Sequence, residues 1–295
     1  MINTLKLLLC LLIVVYSVDI YPKNKYYIVI ASALNVREAP ELNGKLLSTL
    51  KKDSIVESIS ETNSVSTIEN ITAEWIRIKY DNDKTGFVFS GFLSELYDYS
   101  YKKDPLKVKY CRNIYNSYQC ALAIEKEQVL QFSDKVKRKN DSLHIKTKNG
   151  LNLLFKNIPD KEYYTFVDYY SSLNYFILEK HFKEGGAFIV INESNGKHVE
   201  IWSKDYSISP DNNYMIVCSE DTLSGYYANG IQIIDLNSFK IINEIKIEGS
   251  FPSCPEWIDN TAFAFKRSVF LDPDSRIQRM YYIQKVNLRD KIFKN

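Results

Sequence analysis

The stretch ALNVREAPELNGKLLSTLKKDSIVES, residues 33–58, decides how the first third of the chain is read. Ala39-Pro40 and Asn43-Gly44 are turn signals, because proline presets φ and an Asn-Gly pair tolerates positive φ. Leu46, Leu47 and Leu50 then lead to a second turn at Lys51-Lys52-Asp53-Ser54, and Ile55-Val56 resumes beyond it. Upstream, Tyr26-Tyr27-Ile28-Val29-Ile30 is a run of strand-forming residues. Downstream, Trp75 to Tyr80 alternates with period two, with Trp75, Arg77 and Lys79 on one face and Ile76, Ile78 and Tyr80 on the other. Asp81 to Gly86 turns the chain back into Phe87-Val88-Phe89. Some five short strands in about seventy residues read as a small barrel over residues 25–96.

The order of these elements adds a family likeness. Leu34-Asn35-Val36-Arg37, Ala39-Pro40, Gly44, Leu47, Leu50, Val56, Trp75, Ile78, Gly86, Val88, Ser90 and Leu93 together resemble the bacterial SH3 (SH3b) family across residues 26–96. Two departures stand out: Phe87 occupies a place where members commonly have Trp, and residues 58–72 lengthen a connection. The resemblance implies binding of cell-wall peptides or protein partners, without catalysis and without a cofactor. Asn35, Arg37, Trp75, Phe87 and Phe89 are its candidate ligand contacts. Trp75 reads first as the bulky filler a small barrel needs, and Arg37 first as a donor that fixes the loop, with ligand contact the second reading of each.

At 295 residues the chain is long enough for two domains with separate cores. Its 38 basic residues nearly balance 36 acidic ones, and the concentrated basic stripe of a nucleic-acid binder is missing. Lys6 precedes an apolar run from Leu7 to Val18, shorter than the roughly 20 residues a membrane-spanning helix needs. That pattern describes a secretory signal peptide over residues 1–17, cleaved after Ser17. A lipoprotein reading of Cys10 suffers from Leu7-Leu8-Leu9, where a small residue is required. The mature chain is therefore expected in the periplasm or at the cell surface. Export leaves Cys111, Cys120, Cys218 and Cys254 in an oxidising compartment, which suggests disulfides. Cys111–Cys120 with Cys218–Cys254 is the sequence-local pairing, and buried free thiols are the other reading.

Residues 97–109 mix charge, aromatics and a proline, and read as a linker. The segment CRNIYNSYQCALAIEKEQVLQFSD, residues 111–134, opens the second domain, 110–295, as a short helix. Asn116 or Ser117 caps it, and Ala121, Ile124, Val129 and Leu130 approximate an apolar stripe. Beyond Lys135 hairpins follow in series, with Asn149-Gly150 and Asn195-Gly196 at two of the turns. Strands with turns every 8–12 residues or so mean a sandwich, a barrel or a propeller. SISPDNNYMIV (207–217) and GIQIIDLNSFKIINEI (230–245) resemble a β-propeller blade through Ser209-Pro210-Asp211 and Ile233-Ile234-Asp235-Leu236, a likeness that spans residues 205–265. The expected class is all-β: an SH3-like barrel, then a larger propeller-like domain, or alternatively a β-sandwich.

An enzyme would need a nucleophile with a positioned base. His144, His181 and His198 all fall on alternating strand segments, and neither a Gly-x-Ser-x-Gly elbow nor a His-Glu-x-x-His helix occurs. The absence of Cys-x-x-Cys spacing speaks against zinc. Asp168, Glu179, Glu220 and Asp221, with Tyr169 and Tyr226 near them in sequence, are the candidates to line a polar-aromatic ligand pocket. The function expected is non-catalytic binding of peptidoglycan or an envelope protein. A pure protein scaffold is the alternative, and a cell-wall hydrolase comes third.

Overall fold

The computed structural model describes residues 25–81, 83–99, 105–111, 114, 116–221, 225, 226, 228–272 and 278–289. The expected signal peptide lies outside the described residues. The chain divides between Glu95 and Leu96 into two compact units.

The first unit contains β1 (Lys25–Val29), β2 (Ala33–Arg37), β3 (Leu46–Lys51), β4 (Ile55–Ile68), β5 (Ile71–Tyr80) and β6 (Lys84–Phe89), and β7 (Leu93–Asp98) begins in it. All pair antiparallel, β1 with β4, β4 with β5, β5 with β6, and β2 with both β3 and β6. Leu34, Val36, Val56, Ile76, Ile78 and Val88 fill the core, so the period-two reading of β5 holds. Two expectations change. Residues 58–72 are a continuation of the sheet: β4 runs to Ile68, and Glu69 and Asn70, both at positive φ, turn it directly into β5. This ribbon closes over the indole of Trp75, whose Nε1 donates to Ser66 Oγ at 2.8 Å. Gly44 is absent from the positive-φ residues of the unit. Its role is close approach, because a Cβ there would stand 2.8 Å from the Ala39 carbonyl oxygen.

The second unit opens with α1 (Pro105–Tyr110) and α2 (Ser117–Gln131), and continues with β8 (Val136–Lys139), β9 (Ser142–Lys146) and β10 (Asn152–Lys156). Next come β11 (Glu162–Tyr170), β12 (Tyr175–Phe182), β13 (Gly186–Asn192) and β14 (His198–Ile201). β15 (Tyr206–Ile208), β16 (Tyr214–Ser219), β17 (Gly230–Asp235) and β18 (Lys240–Lys246) follow. The last are β19 (Phe251–Trp257), β20 (Ala262–Phe270) and β21 (Arg279–Asn287). Part of the stretch expected as linker is ordered structure: Pro105–Tyr110 is α1, while Tyr97 and Asp98 of β7 pair with Tyr281 and Met280. The start of the unit therefore carries two helices where one was expected.

The strands form consecutive antiparallel meanders: β8 to β10, β11 to β14, β15 to β18, and β19 to β21 with the end of β7 as a fourth strand. Each packs face to face on the next. Val136, Leu143 and Ile145 meet Phe166, Phe176 and Ile189. Ile177, Val190 and Ile201 meet Met215, Val217 and Ile234. Ile216, Ile231 and Ile233 meet Phe263, Phe265 and Val286. Four small sheets stacked in chain order make a propeller-like array and exclude a two-sheet sandwich. The blade-like segments behave as local punctuation. Ser209 Oγ accepts from Tyr214 N at 2.9 Å and donates to Asp211 at 2.6 Å, while Asp235 accepts from Asn237 N at 2.9 Å.

Cys111 and Cys120 are disulfide-bonded, which ties α1 to the first turn of α2. Cys218 and Cys254 are free, against the sequence-local pairing. Cys218 points into the core between two sheets, whereas Cys254 sits at positive φ in the irregular register between Ser253 and Glu256 and faces solvent. The stripe of α2 also differs from its reading. Leu130 is 74% exposed, and the buried side chains are Cys120 and Glu125.

Candidate functional site

The SH3-like unit presents one face built around the loop after β2. Arg37 Nη1 donates to the Gly44 carbonyl at 2.7 Å, and Glu38 N to the Lys45 carbonyl at 2.9 Å, which closes the loop on itself. Beyond this clamp Leu42, Leu46 and Leu47 are exposed. Asn35 is exposed beside them, its Oδ1 accepting from Thr49 Oγ1 at 3.1 Å. Phe87 is half-buried opposite Arg37 in the β2–β6 pairing. Trp75 and Phe89 are core side chains, with ring centroids 6.1 Å apart. Of the five sequence candidates here, Asn35 and Phe87 therefore reach the surface, Arg37 shapes it, and two lie beneath it.

The second unit does not gather its six candidates. Tyr169 is buried, and its hydroxyl donates to Glu193 Oε2 at 2.6 Å while Lys135 Nζ stands 4.1 Å over its ring. Asp168, at the adjacent bulge, accepts from Tyr169 N at 2.7 Å. Glu220 ion-pairs with Arg279 on β21. Asp221 N donates to Asn229 Oδ1 at 3.4 Å, and Tyr226 is exposed. Glu179 faces a cavity.

That cavity lies where α1 and α2 cover β11 and β12. About 280 Å³ is lined by Leu106, Cys120, Ile124, Thr165, Glu179 and Lys204, among others. A second space of about 520 Å³ shares Ser117 with it and is lined by Tyr118, Tyr163, His181, Phe182, Asp160 and Lys183. The disulfide fixes the helical roof. Its other anchor is Glu125, which is buried. Arg138 binds that carboxylate through Nε at 2.6 Å and Nη2 at 2.5 Å, and Phe166 N donates to it at 2.8 Å. Burial lowers the pKa of His181 below the ordinary imidazole value, only partly offset by the Glu179 and Glu125 carboxylates. Its Nε2 lies 2.9 Å from Thr165 Oγ1 and 3.8 Å from Glu179 Oε2. A nucleophile–base–acid relay uses opposite nitrogens of the ring. Here hydroxyl and carboxylate converge on the same nitrogen, and Thr165 is itself buried, so the trio is an arrangement of packing. Sequence reasoning missed Thr165, Tyr118 and Glu125. A glutamate on the helix stripe beside Cys120 was the available signal for the last.

Residues 32–94 match the family model of the bacterial SH3 domain. No curated protein matches the chain. Among solved structures the chain is similar to TolB from Acinetobacter baumannii at 11% identity, with a TM-score of 0.24, over 88% of this chain and 64% of that one. It is also similar to the dihydro-heme d1 dehydrogenase NirN in complex with DHE, at 12% identity and a TM-score of 0.24, over 84% of this chain and 49% of that one. The chain thus spans between about half and two thirds of the length of these two structures, and likeness of this degree carries no argument. The family match stands by itself: the barrel at residues 32–94 is a bacterial SH3 domain, as the sequence resemblance implied.

Proposed function

We propose that this chain is an exported, non-catalytic binding protein of the bacterial cell envelope. Its SH3 domain contacts peptidoglycan or an envelope protein, and its propeller-like unit presents a second contact surface. The observation that carries the reading is the SH3 domain with its clamped loop and exposed Leu42, Leu46 and Leu47. The Cys111–Cys120 disulfide supports export, because such bonds persist in oxidising compartments. Convergence of Thr165 and Glu179 on one nitrogen of His181 favours binding over hydrolysis.

Sedimentation of the purified chain with sacculi tests the wall-binding arm. The chain is expected in the pellet, and a Leu42→Ser/Leu46→Ser variant, altered only at exposed positions, in the supernatant. A parent chain that stays in the supernatant removes the wall from the proposal and leaves the protein-scaffold reading. Release of soluble muropeptides from the sacculi would overturn the non-catalytic reading.

A further inference from the structure

The sheet of β8, β9 and β10 has three strands where the next two sheets in chain order have four. β10 is an outer strand of it, and the phase of its hydrogen bonds can be read. Thr147 N donates to the Leu151 carbonyl at 2.9 Å and Asn157 N to the Asp141 carbonyl at 2.8 Å. In an antiparallel pair the bonded positions alternate, so Leu153 and Phe155 also bond β9. Asn152, Leu154 and Lys156 then direct their N–H and C=O groups away from it. Among the described residues no strand takes them up. The edges of other sheets are blunted. β18 is irregular opposite Ile233 and Ile234, β3 is irregular opposite Val36 and Arg37, and β14 has four residues. β10 keeps a regular register over all five residues and contains neither proline nor glycine. Leu151, Leu154 and Ile158 are exposed along it. A straight edge with exposed apolar side chains is a template for strand addition.

Charge selects the occupant. The register sets Asn152, Leu154 and Lys156 opposite Lys146, His144 and Ser142, and the last two opposite Lys137 and Lys139. Residues directly opposite share a face, so Lys137, Lys139, Lys146 and Lys156 crowd one exposed face with Leu154 at its border. No carboxylate stands on these strands, and residues 134–161 hold eight Lys or Arg against three Asp in a chain whose overall charge is only +2. Two copies paired through this edge would oppose lysine to lysine. We propose that the open edge of β10 receives an extended acidic segment of a partner protein as a fourth strand, its carboxylates on the face of Leu154 and the lysines and its alternate apolar positions on the opposite face, toward Leu151. This deepens the contact role given to the propeller-like unit and is independent of what the SH3 domain binds.

The probe is a capped heptapeptide alternating Glu with Val, compared with its Lys-Val counterpart, on the full chain. The acidic peptide is expected to bind at least about tenfold more tightly, and to slow amide exchange of Asn152, Leu154 and Lys156. Leu154→Pro removes an edge donor that the β9 ladder does not use, and is expected to weaken binding about tenfold or more while sedimentation with sacculi is unchanged. Lys137→Glu/Lys146→Glu guards against misfolding of the proline variant and is expected to reverse the peptide preference. Equal binding of both peptides, or a reversal variant that still prefers Glu-Val, would overturn the proposal. So would edge amides already protected in the free chain, whether by its own segment or by a second copy.

Discussion

The Glu125–Arg138 pair is the most exacting test of how the roof of the cavity is held. Glu125 is 3% exposed, and its carboxylate accepts from Arg138 Nε, Arg138 Nη2 and Phe166 N. Arg138 Nη2 also donates to the Tyr164 carbonyl at 2.6 Å, so helix α2, β8 and β11 meet at one ion pair. Replacing Glu125 by Leu strands a guanidinium and the Phe166 N–H, and removing one partner of a buried pair costs about 3–5 kcal/mol. Arg138→Met strands the carboxylate in turn, at a similar cost. For a unit the size of Leu96–Asn295 each kcal/mol moves Tm by about 2–4 °C, so either change lowers Tm by roughly 6–20 °C. The double variant removes both charges and leaves neutral groups without partners, at about 1–3 kcal/mol for each. It is expected to be more stable than either single variant. Differential scanning calorimetry on the four proteins closes the cycle. Single variants within about 1 kcal/mol of the parent, or a double variant whose loss equals the sum of the singles, would show that the pair does not anchor the helix.

Three further outcomes follow from the same packing. Reducing Cys111–Cys120, or replacing both cysteines by serine, frees a loop of nine-residue separation and is expected to cost roughly 2–3 kcal/mol by loop entropy, read as a lower Tm of the second unit; an unchanged Tm would refute it. Burial lowers the pKa of His181, with Glu179 and Glu125 raising it and Lys107 lowering it. The unfolded imidazole therefore takes up a proton first, and stability is expected to fall as pH drops below about 6.5, a slope that His181→Asn should flatten in thermal melts between pH 7.5 and 5. Parallel profiles for the two proteins would remove His181 from the account. Gly44→Ala places a Cβ 2.8 Å from the Ala39 carbonyl and 3.2 Å from Ala39 N and the Glu41 carbonyl, all backbone. It is expected to destabilise the SH3 domain by about 1–3 kcal/mol in a urea melt, and parent-like stability would mean that the loop yields freely.

What could be read from the sequence follows from which signals are local. The alternation of Trp75 to Tyr80 and the turn residues around Ala39-Pro40 belong to single strands and loops, and with them the SH3 domain was legible. The ribbon of residues 58–72 was not, because the side it lays over Trp75 carries Thr62, Ser64 and Ser66 in place of apolar residues, so no hydrophobic period shows. The candidate pocket failed for a related reason. Asp168 and Tyr169 are sequence neighbours, but successive strand side chains point to opposite faces. Gathering in sequence was therefore the opposite of gathering in space, and Tyr169 went to the core while Glu220 went to Arg279. The cavity that does exist depends on pairings across long separations, such as Phe166 N with Glu125, 41 residues apart, and periodicity has no access to those. The β10 edge is the limiting case. Each of its residues reads as an ordinary strand position, and its availability is a property of the sheet: three strands beside fours, with lysines brought onto one face by register alone. A contact surface of that kind can be argued only after the ladder has been counted, and so the tests above act on one outward N–H and on the charge of that face.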